Sequence, residues 1–246
     1  MSVRVTFLGS GDAFGSGGRM NACFLVEADS TRFLIDCGAS ALIAMRRHGI
    51  DPNDIDSILV SHLHGDHFGG IPFLVLDSRF VSDRRGPLTI AGPAGTAERV
   101  EQAMEVFFPG SSGGDHGFEL EIVEMQPDTA HDIGEVRVTP YLVSHPSGAP
   151  PFALRIECAG RVIAYTGDTA WTDSLIEAGR GADILIAEAY FYDKAVGHHL
   201  DYGTLTARIN DIAPKRFVIT HMSAEMLARL DSLDCEFAED GKTIEL

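Results

Sequence analysis

The segment from His62 to His67 concentrates residue types that bind metal ions. It reads His62-Leu63-His64-Gly65-Asp66-His67, so four potential ligands fall within six positions. Imidazole nitrogens and carboxylate oxygens are common zinc ligands. Side chains at i and i+2 of an extended segment point the same way, and Asp66 and His67, one turn further on, address a neighbouring ion. The spacing therefore predicts one loop that serves two metals.

Three single residues of the same chemical types follow other apolar, strand-like segments. His145 comes after Glu135–Ser144, Asp168 after Val162–Thr166, and His221 after Arg216–Thr220. Residues at the ends of several strands converge on one rim of a sheet, where layered α/β folds place their active sites. We therefore expect these three side chains to join the His62–His67 loop in a site for two ions.

The elements that must position this site are predicted from hydrophobic period and turn residues. The first half is rich in strands with an antiparallel start, and strands and helices alternate in the second. The other strands are expected at Val3–Leu8, Ala22–Glu27, Arg32–Asp36, Ile55–Ser61, Pro87–Ala91, Leu120–Met125, Phe152–Cys158, Ile184–Ala187 and Thr243–Leu246. Helices are expected at Ala39–His48, Ala94–Phe107, Trp171–Ala178, Tyr202–Ile212 and Ala224–Leu230. With no low-complexity linker in between, residues 1–246 are predicted to form one domain.

These motifs resemble the metallo-β-lactamase-fold hydrolases. The resemblance spans nearly the whole chain and includes Tyr165-Thr166-Gly167-Asp168-Thr169 besides the residues above. It implies an α/β fold, specifically a four-layer αβ/βα sandwich. It also implies that a water or hydroxide bridges two metals. The ligands implied for the first ion are His62, His64 and His145, those for the second are Asp66, His67 and His221, and Asp168 bridges the two.

Within that superfamily, the chain looks most like the ribonuclease Z-like phosphodiesterase branch. Glu188-Ala189 follows Asp168 by twenty residues, and His199 precedes His221 by twenty-two. The resemblance implies that Glu188 supports His199, which lies across the metals and assists the leaving oxygen. Asp66, Glu188 and His199 are the predicted catalytic residues. The flanking sequence departs from the branch, since His199-Leu200-Asp201 replaces its His-Ser-Thr run and Ala187 replaces its histidine.

The predicted reaction is hydrolysis of a small or cyclic phosphodiester by a metal-bridging hydroxide. His145 and Asp168 lie only 23 residues apart, which leaves no room for the long arm with which ribonuclease Z grips transfer RNA. Two divalent ions lower the pKa of a bridging water and stabilise charge that builds up on the phosphoryl oxygens. Zinc is the expected metal, and manganese or iron would also suit ligands without thiolate.

The composition limits the classes of partner that the protein can have. A formal net charge of -17 opposes a broad surface for long nucleic acid, whose phosphates are held through Lys and Arg. No apolar run approaches the roughly 20 residues that span a bilayer, and no signal-peptide core is found near Met1, so we expect no membrane partner and a cytoplasmic location. A homodimer is common in the branch that the chain resembles.

Several alternatives stay open at this point. The same metal pair hydrolyses lactones, thioesters or sulfate esters in other members of the superfamily, ribonuclease Z-like RNA processing is a further reading, and a non-catalytic metal-binding module is another. Gly9-Ser10-Gly11-Asp12 begins like a dinucleotide fingerprint, but Phe14 and the strand-like residues after it argue against a nucleotide cofactor. Asp12 and Asn21 are candidates for supporting roles near the site. The Gly- and Ser-rich segment Pro109–Gly117 is predicted to be a surface loop and a candidate lid.

Overall fold

The first sheet takes up most of the N-terminal half of the chain. The computed structural model describes residues 2–113 and 115–246, so Gly114 of the expected surface loop lies outside the described residues. The strands of this sheet are β1 (Arg4–Gly9), β2 (Cys23–Glu27), β3 (Arg32–Ile35), β4 (Ser57–Leu59), β5 (Leu88–Gly92), β6 (Leu120–Glu124) and β14 (Thr243–Glu245). Their order is β14-β1-β2-β3-β4-β5-β6. Strands β1, β2 and β3 pair antiparallel, as predicted, and β3 to β6 run parallel.

The second sheet is built from the remaining strands. They are β7 (His131–Ile133), β8 (Val136–Leu142), β9 (Phe152–Cys158), β10 (Arg161–Tyr165), β11 (Ile184–Glu188), β12 (Phe217–Thr220) and β13 (Glu236–Phe237). Their order is β13-β12-β11-β10-β9-β8-β7. Because β10, β11 and β12 are parallel, their carboxyl ends reach the same edge of the sheet.

Helices cover the outer face of each sheet. They are α1 (Ala41–His48), α2 (Gly65–Phe68), α3 (Ile71–Phe80), α4 (Thr96–Phe107), α5 (Ser174–Gly179), α6 (Tyr202–Ile212) and α7 (Ala224–Leu227). Residues of α1, α3 and α4 form one apolar cluster with the first sheet, and those of α5, α6 and α7 form another with the second. No helix within the described ranges combines the length and apolarity that crossing a bilayer demands.

The inner faces of the two sheets share a third apolar cluster. Phe24 and Ile35 from the first sheet and Leu154 and Ile186 from the second belong to it, and all four are buried. The layer order is therefore helix, sheet, sheet, helix. The predicted four-layer αβ/βα sandwich is confirmed.

Local differences from the prediction have physical reasons. The helix α3 was not expected. It carries Pro72 in its first turn, where proline is tolerated because its missing N–H has no intrahelical partner. The short strand β7 was not expected either. The helix expected from Ala94 begins at Thr96, after Gly95 with a φ of 92°. The strand expected at Ile55–Ser61 is shorter, and its last residues already belong to the loop that approaches the site.

Candidate metal centre

The predicted metal ligands all follow strands at one edge of the sandwich. The His62–His67 loop follows β4, and His145, Asp168 and His221 follow β8, β10 and β12. The segments after β8 and β10 are joined, because Ser144 N donates to Thr169 Oγ1 at 3.0 Å and Ala170 N donates to the Ser144 carbonyl at 3.0 Å. His221 adopts a left-handed backbone conformation with a φ of 57°. Residues far apart in sequence thus meet here, as predicted.

One group of nitrogens comes from His62, His64 and His145. His64 Nδ1 lies 3.1 Å from His145 Nε2, and the ring centroid of His62 is 4.9 Å from those of both. His145 Nδ1 donates to the carbonyl of His198 at 2.8 Å, which leaves the Nε2 lone pair free to bind an ion. Two ligands of a tetrahedral zinc at 2.0–2.1 Å lie about 3.4 Å apart, so this spacing suits a shared ion.

A second group comes from Asp66, His67, Asp168 and His221. His67 Nε2 lies 3.2 Å from Asp66 Oδ2 and 3.4 Å from Asp168 Oδ1. His221 Nε2 lies 3.2 Å from Asp168 Oδ2 and 3.9 Å from Asp66 Oδ2. The potential ligand atoms of this group all lie within 4.8 Å of one another.

Asp168 lies between the two groups. Its Oδ2 is 3.9 Å from His62 Nε2 and 4.0 Å from His145 Nε2 on one side, and 3.2 Å from His221 Nε2 on the other. The side chain is only 3% exposed. A single carboxylate therefore faces both groups, as the role of a bridging ligand requires.

The buried atoms of the site fit divalent cations. Among the described residues, His62 Nε2, His67 Nε2 and Asp168 Oδ1 are buried without a hydrogen-bond partner. A buried polar atom left unpaired is costly, and an ion would supply the missing partner. Burial lowers the pKa of His62 and His221, which favours the neutral imidazole that binds metals. At His67 the effect of burial is outweighed by the nearby carboxylates of Asp168, Asp66 and Asp36, which raise its pKa.

Asp36 supports the site, although no motif in the sequence marks it. Its Oδ2 lies 2.7 Å from His67 Nδ1, and it accepts hydrogen bonds from Ser61 N and Ser61 Oγ, both at 2.8 Å. Such a carboxylate fixes the ring orientation of a metal-binding histidine. The only signal in the sequence was its position, since Asp36 follows β3, the parallel neighbour of β4.

Glycines allow the backbone to pack directly against the His62–His67 loop. A Cβ at Gly38 would lie 2.2 Å from the Asp66 carbonyl oxygen, and one at Gly70 would lie 2.3 Å from the Gly38 carbonyl oxygen. Cys37 N donates to the His67 carbonyl at 2.6 Å. The loop is therefore held by backbone contacts that no larger residue at 38 or 70 would permit.

The Glu188 and His199 pair predicted from the resemblance is present. Glu188 is fully buried at the end of β11, and its Oε2 lies 2.9 Å from His199 Nδ1. Its other oxygen, Oε1, accepts a hydrogen bond from Thr169 N, next to Asp168. Burial, reinforced by the charge of Asp168, raises the pKa of Glu188, and the hydrogen bond and charge of His199 oppose this shift. Burial alone would lower the pKa of His199, but the hydrogen bond and charge of Glu188 outweigh it and raise that pKa.

A cleft of about 180 Å³ opens over these groups. The ring of Tyr190 stacks on that of His199 with centroids 4.7 Å apart. The cleft is lined by Ala13, Phe14, His64, Asp66, His145, Asp168, Tyr190, His199 and His221. None of these described lining residues is a lysine or an arginine.

Asp12 and Asn21 organise the neighbouring glycine-rich loop. The Asp12 carboxylate accepts hydrogen bonds from Ser16 N at 2.9 Å, Ser16 Oγ at 2.7 Å and Phe14 N at 3.2 Å. Asn21 Nδ2 donates to the Asp12 carbonyl at 3.0 Å. Their supporting role is thus to shape the loop that borders the cleft.

A family model described as "Beta-lactamase superfamily domain" matches residues 31–222, well over half of the chain. The chain belongs to this family. With the fold described above, this confirms the resemblance to the metallo-β-lactamase-fold hydrolases, and the protein is a metal-dependent hydrolase.

Within this superfamily, the relatives of the chain place it in the ribonuclease Z-like branch. It is similar to a ribonuclease Z of Haloferax volcanii, with 28% identity over 310 positions covering 100% of this chain and 96% of the relative. Since the alignment is longer than the 246 residues of this chain, the relative carries insertions that this chain lacks.

Solved structures share the fold. The metallo-β-lactamase fold protein YhfI of Bacillus subtilis matches with a TM-score of 0.82 and 21% identity, covering 100% of this chain and 99% of YhfI. A diphosphatase from the PhnP family matches with a TM-score of 0.78 and 20% identity, covering 99% of this chain and 98% of that one. The superfamily assignment and the fold were thus correct. The metal-binding and catalytic roles of individual residues remain predictions.

Proposed function

We propose that this protein is a dinuclear metal-dependent phosphodiesterase that acts on a small or cyclic phosphodiester. The observation that carries the proposal is the position of Asp168 Oδ2, within 4.0 Å of nitrogens from both histidine groups and 3.9 Å from His199 Nδ1. One carboxylate therefore adjoins two candidate ion sites and a candidate proton donor. That combination suits an ester whose leaving oxygen needs both charge neutralisation and a proton.

The proposed ligands divide between the two groups. His62, His64 and His145 would hold one ion, Asp66, His67 and His221 the other, with Asp168 shared. When bound, two divalent cations lower the pKa of water and neutralise charge on the phosphoryl oxygens. Zinc is the proposed metal, since imidazole and carboxylate ligands suit it, with manganese or iron as alternatives according to supply.

The proposed role of His199 is to donate a proton to the departing oxygen. Glu188 holds Nδ1, which orients the ring and leaves Nε2 as the nitrogen that can serve a substrate in the cleft. The raised pKa of His199 favours the protonated ring, which is the form from which an acid donates its proton. Tyr190 packs on the ring face and limits its rotation.

Two features favour a small substrate over a long RNA. The cleft of about 180 Å³ is lined without lysine or arginine among the described residues, whereas RNA backbones are bound mainly through such cations. Between His145 and Asp168 the chain forms the short segment 146–151, the strands β9 and β10, and residues 166–167, and β9 and β10 are joined by the two-residue turn Ala159-Gly160, with φ values of 46° and 75°. This turn type closes a hairpin tightly and leaves no inserted arm there.

RNA processing is the second candidate, because the ribonuclease Z of Haloferax volcanii aligns over the whole chain. A substrate panel separates the candidates. Zinc- and manganese-loaded protein should hydrolyse bis-p-nitrophenyl phosphate and cyclic nucleotides faster than a lactone or a thioester, and should leave a precursor transfer RNA uncut. Cleavage of the RNA alone would favour the second candidate. Hydrolysis of only the lactone or thioester would refute the phosphodiesterase assignment.

The ligand assignment has its own test. The double variant His62→Ala, His64→Ala should lose stoichiometric metal by elemental analysis and lose phosphodiesterase activity with it. His48→Ala is the matched control, because His48 ends α1 and lines no part of the cleft. Unchanged metal content in the double variant would contradict the assignment.

A further inference from the structure

Phe14 is an aromatic side chain that the proposed reaction does not use. Its side chain is 83% exposed, the largest exposure among the large apolar residues of the described chain. It nevertheless lines the same cleft as Asp168, His199 and His221. A single exposed phenylalanine is ordinary on a protein surface, so its place beside the site is the informative part.

The loop that carries Phe14 is fixed at its base and at its tip. Asp240 accepts hydrogen bonds from Ser10 N at 2.9 Å and from Met20 N at 2.8 Å, which ties the two ends together. Inside the loop, the buried carboxylate of Asp12 accepts from the backbone of Phe14 and Ser16. The ring is therefore presented at the mouth of the cleft by a well-bonded loop.

The size and chemistry of the cleft indicate what would contact this ring. About 180 Å³ is less than the roughly 300–1,000 Å³ of typical pockets for whole organic ligands, so a phosphate fits inside while the group attached to it extends to the mouth. Besides Ala13, the lining residues that are neither histidine nor aspartate are the aromatic Phe14 and Tyr190. Flat aromatic faces suit a planar ring better than an alkyl chain.

We propose that Phe14 is a specificity-determining residue that stacks on the base of a nucleoside phosphodiester while the phosphate occupies the metal site. The proposal rests on the proposed function and names its substrate class as nucleotides. Base stacking on aromatic side chains tolerates every base, because each base has a π face. Phe14 would therefore select nucleotides over other phosphodiesters without selecting one base.

Binding calorimetry with the zinc-loaded protein tests this without turnover. Adenosine 5′-monophosphate should bind about tenfold more tightly than ribose 5-phosphate, which lacks the base. Phe14→Ala should reduce that ratio to less than about twofold, Phe14→Leu should restore little of it, and Phe14→Trp should keep it. In Phe14→Trp, with Trp171→Phe as background, adenosine 5′-monophosphate should also quench the new tryptophan fluorescence, and ribose 5-phosphate should not.

Phe80→Ala is the matched control, since Phe80 is 68% exposed at the end of α3 and does not line the cleft. It should leave the ratio unchanged. Equal affinities for the two ligands in the wild-type protein, or an unchanged ratio in Phe14→Ala, would overturn the role of Phe14. The proposed function can fail separately from the role of Phe14. If the protein hydrolyses bis-p-nitrophenyl phosphate but shows no preference for nucleotides, the phosphodiesterase assignment stands and the role of Phe14 is wrong. If the protein binds the nucleotide through Phe14 but hydrolyses no phosphodiester, the phosphodiesterase assignment is wrong.

Discussion

Nδ1 of His199 lies 2.9 Å from Oε2 of Glu188, and the other oxygen of the same carboxylate is bonded to the backbone N–H that follows Asp168. Glu188 therefore connects the candidate acid to the candidate bridging ligand. The carboxylate is fully buried, whereas the His199 side chain is 24% exposed. The acid thus reaches the cleft while its partner stays away from solvent.

Glu188→Gln should show whether Glu188 acts on His199 by orienting its ring or through its negative charge. The amide keeps the size of the side chain but removes the negative charge that raises the pKa of His199. We expect kcat to fall about 10- to 100-fold. An acid works only while protonated, so activity falls as the pH rises through the His199 pKa, and this alkaline limb should move to lower pH in the variant. The measurement is the pH profile of kcat/KM, with metal content determined in parallel.

The control for this variant is Glu177→Gln, an exposed carboxylate on α5 that pairs with Arg180. It should leave the profile unchanged. A Glu188→Gln enzyme whose alkaline limb stays in place would argue against the charge of Glu188 acting on His199.

Asp36→Asn should weaken metal binding without removing any proposed ligand. The asparagine tolerates the left-handed backbone at this position, where φ is 58°, but it lacks the charge that holds His67 Nδ1–H. Loss of such a supporting carboxylate typically costs about 10- to 100-fold in metal affinity. Competition with a chromogenic chelator measures the affinity of each ion, and Asp29→Asn, at an exposed turn, is the control. Equal affinities in Asp36→Asn and wild type would contradict the supporting role.

Asp183 provides a pH-dependent contribution to stability away from the site. It accepts hydrogen bonds from Val162 N at 2.8 Å and Lys215 Nζ at 2.9 Å. Burial alone would raise its pKa, but these donors and Arg161 lower it. A lowered folded-state pKa gives stability that is complete above the ordinary aspartate pKa of about 4 and is lost as the pH falls through the folded value.

Asp183→Asn should therefore reduce the free energy of unfolding by about 1 kcal/mol at pH 7, after allowance for solvent screening, and by less at pH 3. For a chain of this size, the Tm at pH 7 should fall by about 2–4 °C. Thermal unfolding followed by circular dichroism at both pH values measures the difference. A loss as large at pH 3 as at pH 7 would show that the carboxylate charge is not the cause.

We propose that residues 1–246 form one folding domain, because the cluster between the sheets draws buried residues from both halves of the chain. Differential scanning calorimetry of the metal-loaded protein should give a single transition, with calorimetric and van't Hoff enthalpies that agree within error. Two separable transitions, one for each sheet and its helices, would contradict the proposal.

The part of the site that the sequence revealed is the part with a dense local pattern. The His62–His67 segment marks itself by ligand density, and Asp168 and His221 follow from their places after apolar strands. Asp36 lacked such a signal, since one carboxylate after a strand is common and its meaning depends on β3 pairing with β4. Asp240 was equally hidden, because its partner Ser10 lies 230 residues away along the chain.

The strands that were predicted correctly also carry strong local patterns. Strands buried on both faces give continuous apolar runs, so β2 and β11 were predicted from sequence. The helix α3 was not predicted, because an apolar run that contains Pro72 fits a strand, a turn or a first helical turn equally well. Only the packing of α3 against the first sheet decides between them.

The position of Asp168 also links the occupancy of the two candidate ion sites. Under the proposed assignment, an ion bound by either group also fixes the Asp168 carboxylate, which the other group needs as a ligand. The entropic cost of ordering this carboxylate is therefore met by the first ion, and the second ion binds to a ligand that is already in place. Such linkage is reciprocal, and it holds whichever group fills first. A preparation given half the required metal would then contain mostly empty and fully loaded molecules, and its specific activity would rise in proportion to total metal.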